Sequence, residues 1–156
     1  MITKYEIEID RNRHPFMVMD MTYPYENTKF SDAESVAKML NQCLHLGTQA
    51  EEKMVMVALD NSMHSLGIFQ VAHGQISSCY VQPREIFLRA VLAGASHIIL
   101  AHNHPSGTVE PSDPDRAFCE KVAEAGEMMN IPIEDFLIVA ADRCCSFREL
   151  GYMRGT

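Results

Sequence analysis

The chain has 156 residues, 47% of them apolar and 22% charged, which is the composition of one ordinary globular domain and excludes a disordered or fibrous chain. No apolar run approaches the roughly 18 residues of a membrane span, and the polar N-terminus has no signal-peptide pattern, so we expect a cytoplasmic protein without membrane contact. Thirteen basic and 21 acidic residues give a net charge of −8, which argues against direct nucleic-acid binding.

Two strands are predicted at the N-terminus, where we expect a strand-like extension (1–30) to one domain (31–156). Apolar residues alternate with charged ones from Tyr5 to Ile9, which is the period of a half-buried strand. A second apolar run, Phe16–Met19, follows Pro15. The pattern of these thirty residues predicts no helix.

A helix is predicted over residues 32–45. Ser31 and Glu34 have the spacing of a capping box, in which each side chain accepts a hydrogen bond from a backbone N–H that the helix leaves unpaired. Apolar residues then recur at helical spacing, and Gly47 marks the end.

The middle of the chain predicts an antiparallel meander followed by a helix. Three apolar segments separated by turn residues form the meander: Lys53–Leu59, Ser65–Val71 and Ile76–Val81. Pro83 suits the first position of the helix and Gly94 its end. The inner face of this helix is predicted to contain four apolar residues: Ile86, Phe87, Ala90 and Val91.

Strands and one long helix are predicted in the last third. The run His97–Ala101 indicates a central strand that ends at His102, before a loop rich in Pro and Gly. Ser112 has the position of an N-cap for the helix after the loop. Four apolar residues form the predicted buried stripe of that helix: Phe118, Val122, Ala125 and Met129. A strand over Ile133–Val139 and a helical turn over Ser146–Leu150 complete the prediction.

The chemistry is expected at the loop, in the pattern His102-x-His104, seven residues, Ser112-x-x-Asp115. Residues i and i+2 of an extended chain point to one side, so both imidazoles can reach one ion. Asp115, in the first helical turn, can be folded back towards them. Two histidines and one aspartate leave the fourth tetrahedral position open, as in catalytic zinc sites. The alternative is that the histidines are polar loop residues and the Ser–Asp pair only caps a helix.

This pattern resembles the JAMM motif of the JAB/MPN metallopeptidase superfamily. The segment Ala101-His-Asn-His-Pro-Ser-Gly107 is similar to the sequences of the RadC branch, and so is the segment Gln82-Pro-Arg-Glu-Ile-Phe87. The resemblance covers Glu51–Gly151. It implies an α/β fold of the α+β type, with a curved mixed sheet flanked by helices in a cytidine-deaminase-like architecture, and one Zn²⁺ per chain.

The resemblance also implies a zinc-dependent hydrolase of the metallopeptidase or isopeptidase type, in which a metal-activated water attacks an amide carbonyl. Glu52 matches the general base of the superfamily, with seven residues between it and Asp60. Glu51 is the alternative after a slip of one position, and Glu85 is a rival with a structural place in a helix. Ser112 is expected to act both as N-cap and as a hydrogen-bond donor in the transition state.

Several features depart from the RadC pattern. The first thirty residues are expected to be strand-like rather than to form the helix-hairpin-helix region common in RadC proteins. Asp135-Phe136 stands where RadC-like chains often have Asp-His, which alters the surroundings of the expected site rather than its ligands. Cys119, one turn after Asp115, is a conceivable fourth ligand. Scattered cysteines without a C-x-x-C pair indicate reduced thiols.

Two other functions remain open at this stage. The domain could be a non-catalytic interaction module of the JAB fold, or a RadC-like factor associated with DNA repair or mobile elements. The intact motif argues against the first, and the charge of −8 argues against direct DNA contact in the second. A peptide or protein substrate is expected, and the oligomeric state is left open.

Overall fold

Seven strands and three helices follow one another along residues 1–74 and 81–153, which the computed structural model describes. The strands are β1 (Ile2–Ile9), β2 (Pro15–Tyr23), β3 (Lys53–Leu59), β4 (Ser65–His73), β5 (His97–His102), β6 (Ile133–Val139) and β7 (Cys144–Ser146). The helices are α1 (Ala33–Leu44), α2 (Pro83–Ala93) and α3 (Asp113–Met129).

All seven strands join one mixed sheet in the order β2-β1-β4-β3-β5-β6-β7. Strand β3 pairs antiparallel with β4 and β5, whereas β5 and β6 run parallel. The predicted α/β class is therefore confirmed. The third strand of the predicted meander, Ile76–Val81, lies almost entirely outside the described residues. The other described neighbour of β4 is β1, through a short parallel contact.

The sheet has a hydrophobic core on each face. Alternate residues of β3 face opposite ways: Met54, Met56 and Ala58 pack with α2 and α3, and the residues between them pack with α1. A strand buried on both faces reads as a continuous apolar run, which is why β3 was predicted with its observed bounds. The strand β5 beside it is buried in the same way.

The ends of α1 differ from the prediction. Asp32, not Ser31, is the N-cap, and its carboxylate accepts the N–H of Ser35 at 2.8 Å. His45, with a φ of 52°, ends the helix instead of Gly47. Gly47 has another reason to be glycine, because a Cβ there would lie 2.2 Å from the backbone carbon of Ala140.

The other two helices begin as predicted but bury different residues near their ends. Pro83 is at the start of α2, and Gly94 ends it with a φ of 67°. Val91 is 54% exposed and Met129 is 47% exposed, so neither belongs to a buried face. In α3 the buried positions are Phe118, Cys119, Val122 and Gly126.

Strand β7 was not predicted. It pairs antiparallel with β6 over three residues, where the sequence suggested the start of a helical turn at Ser146. One hydrogen bond of helical spacing follows, from Leu150 N–H to the Ser146 carbonyl, and the chain does not continue as a helix. The cysteines are free thiols at positions 43, 119, 144 and 145, and Cys79 lies outside the described residues.

Candidate metal centre

His102 is held rigidly at the end of β5. Its backbone lies in register with Met54 of β3 and Ile138 of β6, and the residue is 1% exposed. The imidazole stacks on the Phe136 ring, with 5.0 Å between centroids and 19° between planes. Because the sheet holds the backbone and the core holds the ring, the direction of Nε2 is fixed.

His104 meets His102 just past the end of the strand. The two Nε2 atoms are 3.0 Å apart, and the rings meet edge to face. The His104 side chain is 15% exposed, so this imidazole lies at the boundary between core and solvent. Its other nitrogen, Nδ1, is 3.5 Å from the Thr108 hydroxyl.

Asp115 closes the group from the first turn of α3. Its Oδ1 is 3.0 Å from His102 Nε2, and its Oδ2 is 3.3 Å from His104 Nε2. Ser112 holds this carboxylate in place: its backbone N–H and its hydroxyl both donate to Oδ2, at 2.8 and 2.7 Å. The same hydroxyl accepts the Asp115 N–H at 3.2 Å as the N-cap of the helix.

The charges of this group support one another. Burial alone would raise the pKa of the Asp115 carboxyl, but hydrogen bonds from His102 and His104 outweigh it and hold that pKa well below its usual range. The hydrogen bond to Asp115 raises the pKa of His104 against the opposing effect of burial, and the Glu52 charge adds to the rise. Two imidazoles therefore face a carboxylate that stays ionised.

The donor set could hold a metal ion, and its spacing can be compared with that of a tetrahedral zinc site. Ligand atoms that share one ion at about 2.0–2.1 Å in tetrahedral geometry are about 3.3 Å apart. The separations found are 3.0 Å between the nitrogens, and 3.0 and 3.3 Å to the Asp115 oxygens. A neutral imidazole nitrogen carries at most one proton, so His102 Nε2 cannot donate to both neighbours. A cation would satisfy all three groups at once.

Glu52 approaches the same imidazoles from the start of β3. One of its carboxylate oxygens and one nitrogen of each histidine all lie within 4.8 Å of one another, so these three residues also form a group that could hold a metal ion. Glu51 points elsewhere: its carboxylate contacts His73 and is 59% exposed. Glu85 accepts the backbone N–H of Gln82 in the capping box of α2. Of the three acids considered from the sequence, Glu52 faces the histidines.

Residues 30–152 match the family model of the RadC-like JAB domain. The chain belongs to the RadC-like JAB family. A relative is the UPF0758 protein XAC3915 of Xanthomonas axonopodis pv. citri (strain 306), which is 33% identical over 123 residues. The match covers 79% of this chain and 54% of that protein, so the chain spans about half the length of this curated relative.

Phe136 and Cys119, which the sequence singled out beside the metal motif, both pack in the core of this JAB domain. Phe136 provides the ring on which His102 stacks, so the substitution changes the support of a histidine. His102 Nδ1 is buried and makes no hydrogen bond to the described residues. Cys119 packs in the core, where burial raises the pKa of its thiol to about 12. A thiol that resists ionisation is a poor zinc ligand.

Sequence reasoning missed Asn103, which it treated only as a loop residue. Asn103 is fully buried between the two histidines, and its amide bonds to the backbone on both sides of Glu52. The signal available was its place inside the H-x-H pattern, at the end of a buried strand.

No helix of the domain, within the described ranges, is long and apolar enough to span a membrane.

Proposed function

We propose that this domain is a zinc-dependent hydrolase of amide bonds, a metallopeptidase or isopeptidase. The observation that carries the proposal is the convergence of His102 Nε2, His104 Nε2 and the Asp115 carboxylate within 3.0–3.3 Å at the end of a buried strand. Three ligands from the protein leave a fourth position for chemistry, whereas structural zinc sites use four. Membership of the RadC-like JAB family supports the same reading.

The three ligands have different supports. His102 is fixed by the sheet and by Phe136, and Asp115 is fixed by the two hydrogen bonds that Ser112 donates to Oδ2. Because Oδ2 carries those bonds, Oδ1 is the oxygen better able to bind an ion. A zinc ion held there would polarise a substrate carbonyl and lower the pKa of water to about 7.

Glu52 is proposed as the general base. Its carboxylate lies near both imidazoles, and the residue stands just before β3, in a different segment of the chain from Asp115. A carboxylate in this place can take a proton from the attacking water and pass it to the leaving amine, which contributes about 10²–10⁴-fold to such reactions.

Ser112 is proposed to act first through Asp115. A hydroxyl has a single proton, and here that proton is donated to Asp115 Oδ2. Donation to a developing oxyanion therefore requires the hydroxyl to turn away from Asp115, while its backbone N–H keeps the carboxylate in place. Donation to Asp115 and donation to an oxyanion thus alternate, whereas the hydroxyl can accept the Asp115 N–H as N-cap in either case.

The proposed substrate is a peptide or a protein with a linear or lysine-linked amide. The His104 side chain is 15% exposed, so the group opens at the boundary between core and solvent, where a substrate chain laid across the surface could reach it. The net charge of −8 favours partners other than nucleic acid.

Metal content and hydrolysis test the proposal together. We expect about one zinc per chain by elemental analysis, and loss of most of it in His102→Ala and His104→Ala. His97→Ala is the matched control, since His97 begins the same strand and pairs with Glu134 instead. Zinc content that survives both ligand changes would refute the metal site.

Hydrolysis is assayed with internally quenched peptides, both linear and linked through a lysine side chain. We expect cleavage that is lost with chelator and restored by zinc. A zinc-loaded protein that cleaves none of these probes would instead support a non-catalytic JAB module.

A further inference from the structure

The amide of Asn103 connects the histidine segment to the segment that carries Glu52. Its Oδ1 accepts the Lys53 N–H at 2.8 Å, and its Nδ2 lies 3.1 Å from the Glu51 carbonyl and 3.3 Å from that of Gln49. The residue is 0% exposed. Every contact is to backbone, and two of them lie immediately before and after Glu52.

The backbone could not make this connection by itself. Strands β3 and β5 end their pairing at Met54 and His102, after which Pro105 and Gly107 take the chain away as a loop. The side chain of Asn103 continues the ladder beyond that last pair. The side-chain amide of Asn has one acceptor oxygen and two N–H donors at the same distance from the backbone, a combination that neither Asp nor Ser has. A buried amide must make hydrogen bonds with these groups, and here the backbone supplies the partners.

We infer that Asn103 is a positioning residue that holds the Glu52 carboxylate against the pair His102–His104. This inference rests on the proposed function, because it concerns Glu52 as the base. Asn103 lies between the two histidines in the chain, so its side chain ties the backbone that carries both histidines to the backbone on either side of Glu52. The Glu52 carbonyl is held from the other side by the Gly74 N–H at 2.9 Å.

The chain offers a matched control in Asn41. Its Nδ2 donates to the Ala140 carbonyl at 2.8 Å, and its Oδ1 accepts the Gly47 N–H at 2.7 Å. This amide also bridges two backbone segments, but it contacts neither neighbour of Glu52. Asn41→Ala therefore measures the loss of a bridging amide as such.

The first test needs no substrate and uses Co²⁺ alone as a paramagnetic probe. In protein labelled with ¹³C-glutamate, the carboxyl resonance of Glu52, assigned with Glu52→Gln, is broadened by Co²⁺ in the wild type. We expect Asn103→Ala to bind Co²⁺ at unchanged stoichiometry and to lose much of this broadening, while Asn41→Ala retains it. Undiminished broadening in Asn103→Ala would overturn the inference, and so would loss of Co²⁺ binding. Asn103→Ser, which keeps a small polar group, replaces Asn103→Ala if the latter does not fold.

The second test is a double-mutant cycle on the peptide probes. Because a displacement of about 1 Å costs about 10²-fold, Asn103→Ala should lower kcat by roughly 10–10²-fold with KM little changed. In the Glu52→Gln background the same change should cost less than about 3-fold, since the group it positions is already gone. An equal loss in both backgrounds would indicate a general structural role and overturn the inference. Wild-type protein that cleaves no probe would refute the proposed function, and the Co²⁺ result would still decide the position of Glu52.

Discussion

Replacing Glu52 by glutamine removes a charge and a base while it keeps the shape of the side chain. The Asp115 oxygens lie 3.0 and 3.3 Å from the histidine nitrogens, and Ser112 holds that carboxylate in place without any help from Glu52. The metal-binding set that remains is His, His and Asp. We therefore expect Glu52→Gln to keep about one zinc per chain.

The expected loss of activity follows from the role of the base. Hydrolysis of the quenched peptides should fall by about 10²–10⁴-fold, which corresponds to about 3–5 kcal/mol of transition-state stabilisation. Thermal stability should change little, because the residue is only partly buried at a strand end. Zinc content, melting temperature and kcat/KM measured on one preparation separate these effects.

Glu51→Gln is the matched control. Its carboxylate is 59% exposed and contacts His73, and an exposed ion pair contributes at most about 1 kcal/mol. This variant should bind zinc and cleave the probes like the wild type. The reasoning fails if Glu52→Gln loses its zinc, since Glu52 would then be a ligand. It also fails if the loss of activity follows Glu51.

Four further predictions concern stability and metal binding. Ser112→Ala removes the N-cap and one of the two hydrogen bonds to Asp115 Oδ2. We expect calorimetry to show a melting temperature lower by about 2–4 °C. Competition with a chelator should show a zinc affinity lower by about 10–100-fold. Gly47→Ala places a Cβ 2.2 Å from the Ala140 backbone, so the free energy of unfolding measured in urea should fall by about 1–3 kcal/mol. An unchanged melting temperature would contradict this prediction. Chelator should leave the far-ultraviolet circular dichroism intact, because the two apolar cores of a chain of this size hold the fold without an ion. In the metal-free protein the hydrogen bond to Asp115 raises the pKa of His104, so this pair stabilises the folded state fully below the ordinary histidine pKa of about 6.5. That contribution should be lost as the pH rises through the raised pKa of His104. A free energy of unfolding that does not change over this range would contradict the pairing with Asp115.

The sequence predicted the elements whose signals are local. Strand β3 reads as an apolar run because both of its faces are buried, and the starts of α2 and α3 follow from Pro83 and Ser112. The spacing of His102, His104 and Asp115 singled out the residues that the structure brings together, since a strand end and a helix start define their directions.

Long-range packing decided the features that the sequence misjudged. The exposure of Val91 and Met129 depends on how far each helix extends over the sheet, which helical periodicity does not contain. Strand β7 exists because β6 offers it an edge, and three residues carry too short a pattern to show this. Asp32 caps α1 instead of Ser31, although both residue types suit an N-cap.

The choice between Glu51 and Glu52 shows the same division within the site. Adjacent residues on an extended chain point to opposite sides, so the sequence limited the base to two positions but could not choose between them. The amide of Asn103, about fifty residues further along the chain, bonds to the backbone on both sides of Glu52 in the folded protein. A contact between distant segments has no local pattern, and therefore only the tertiary structure decided which carboxylate faces the histidines.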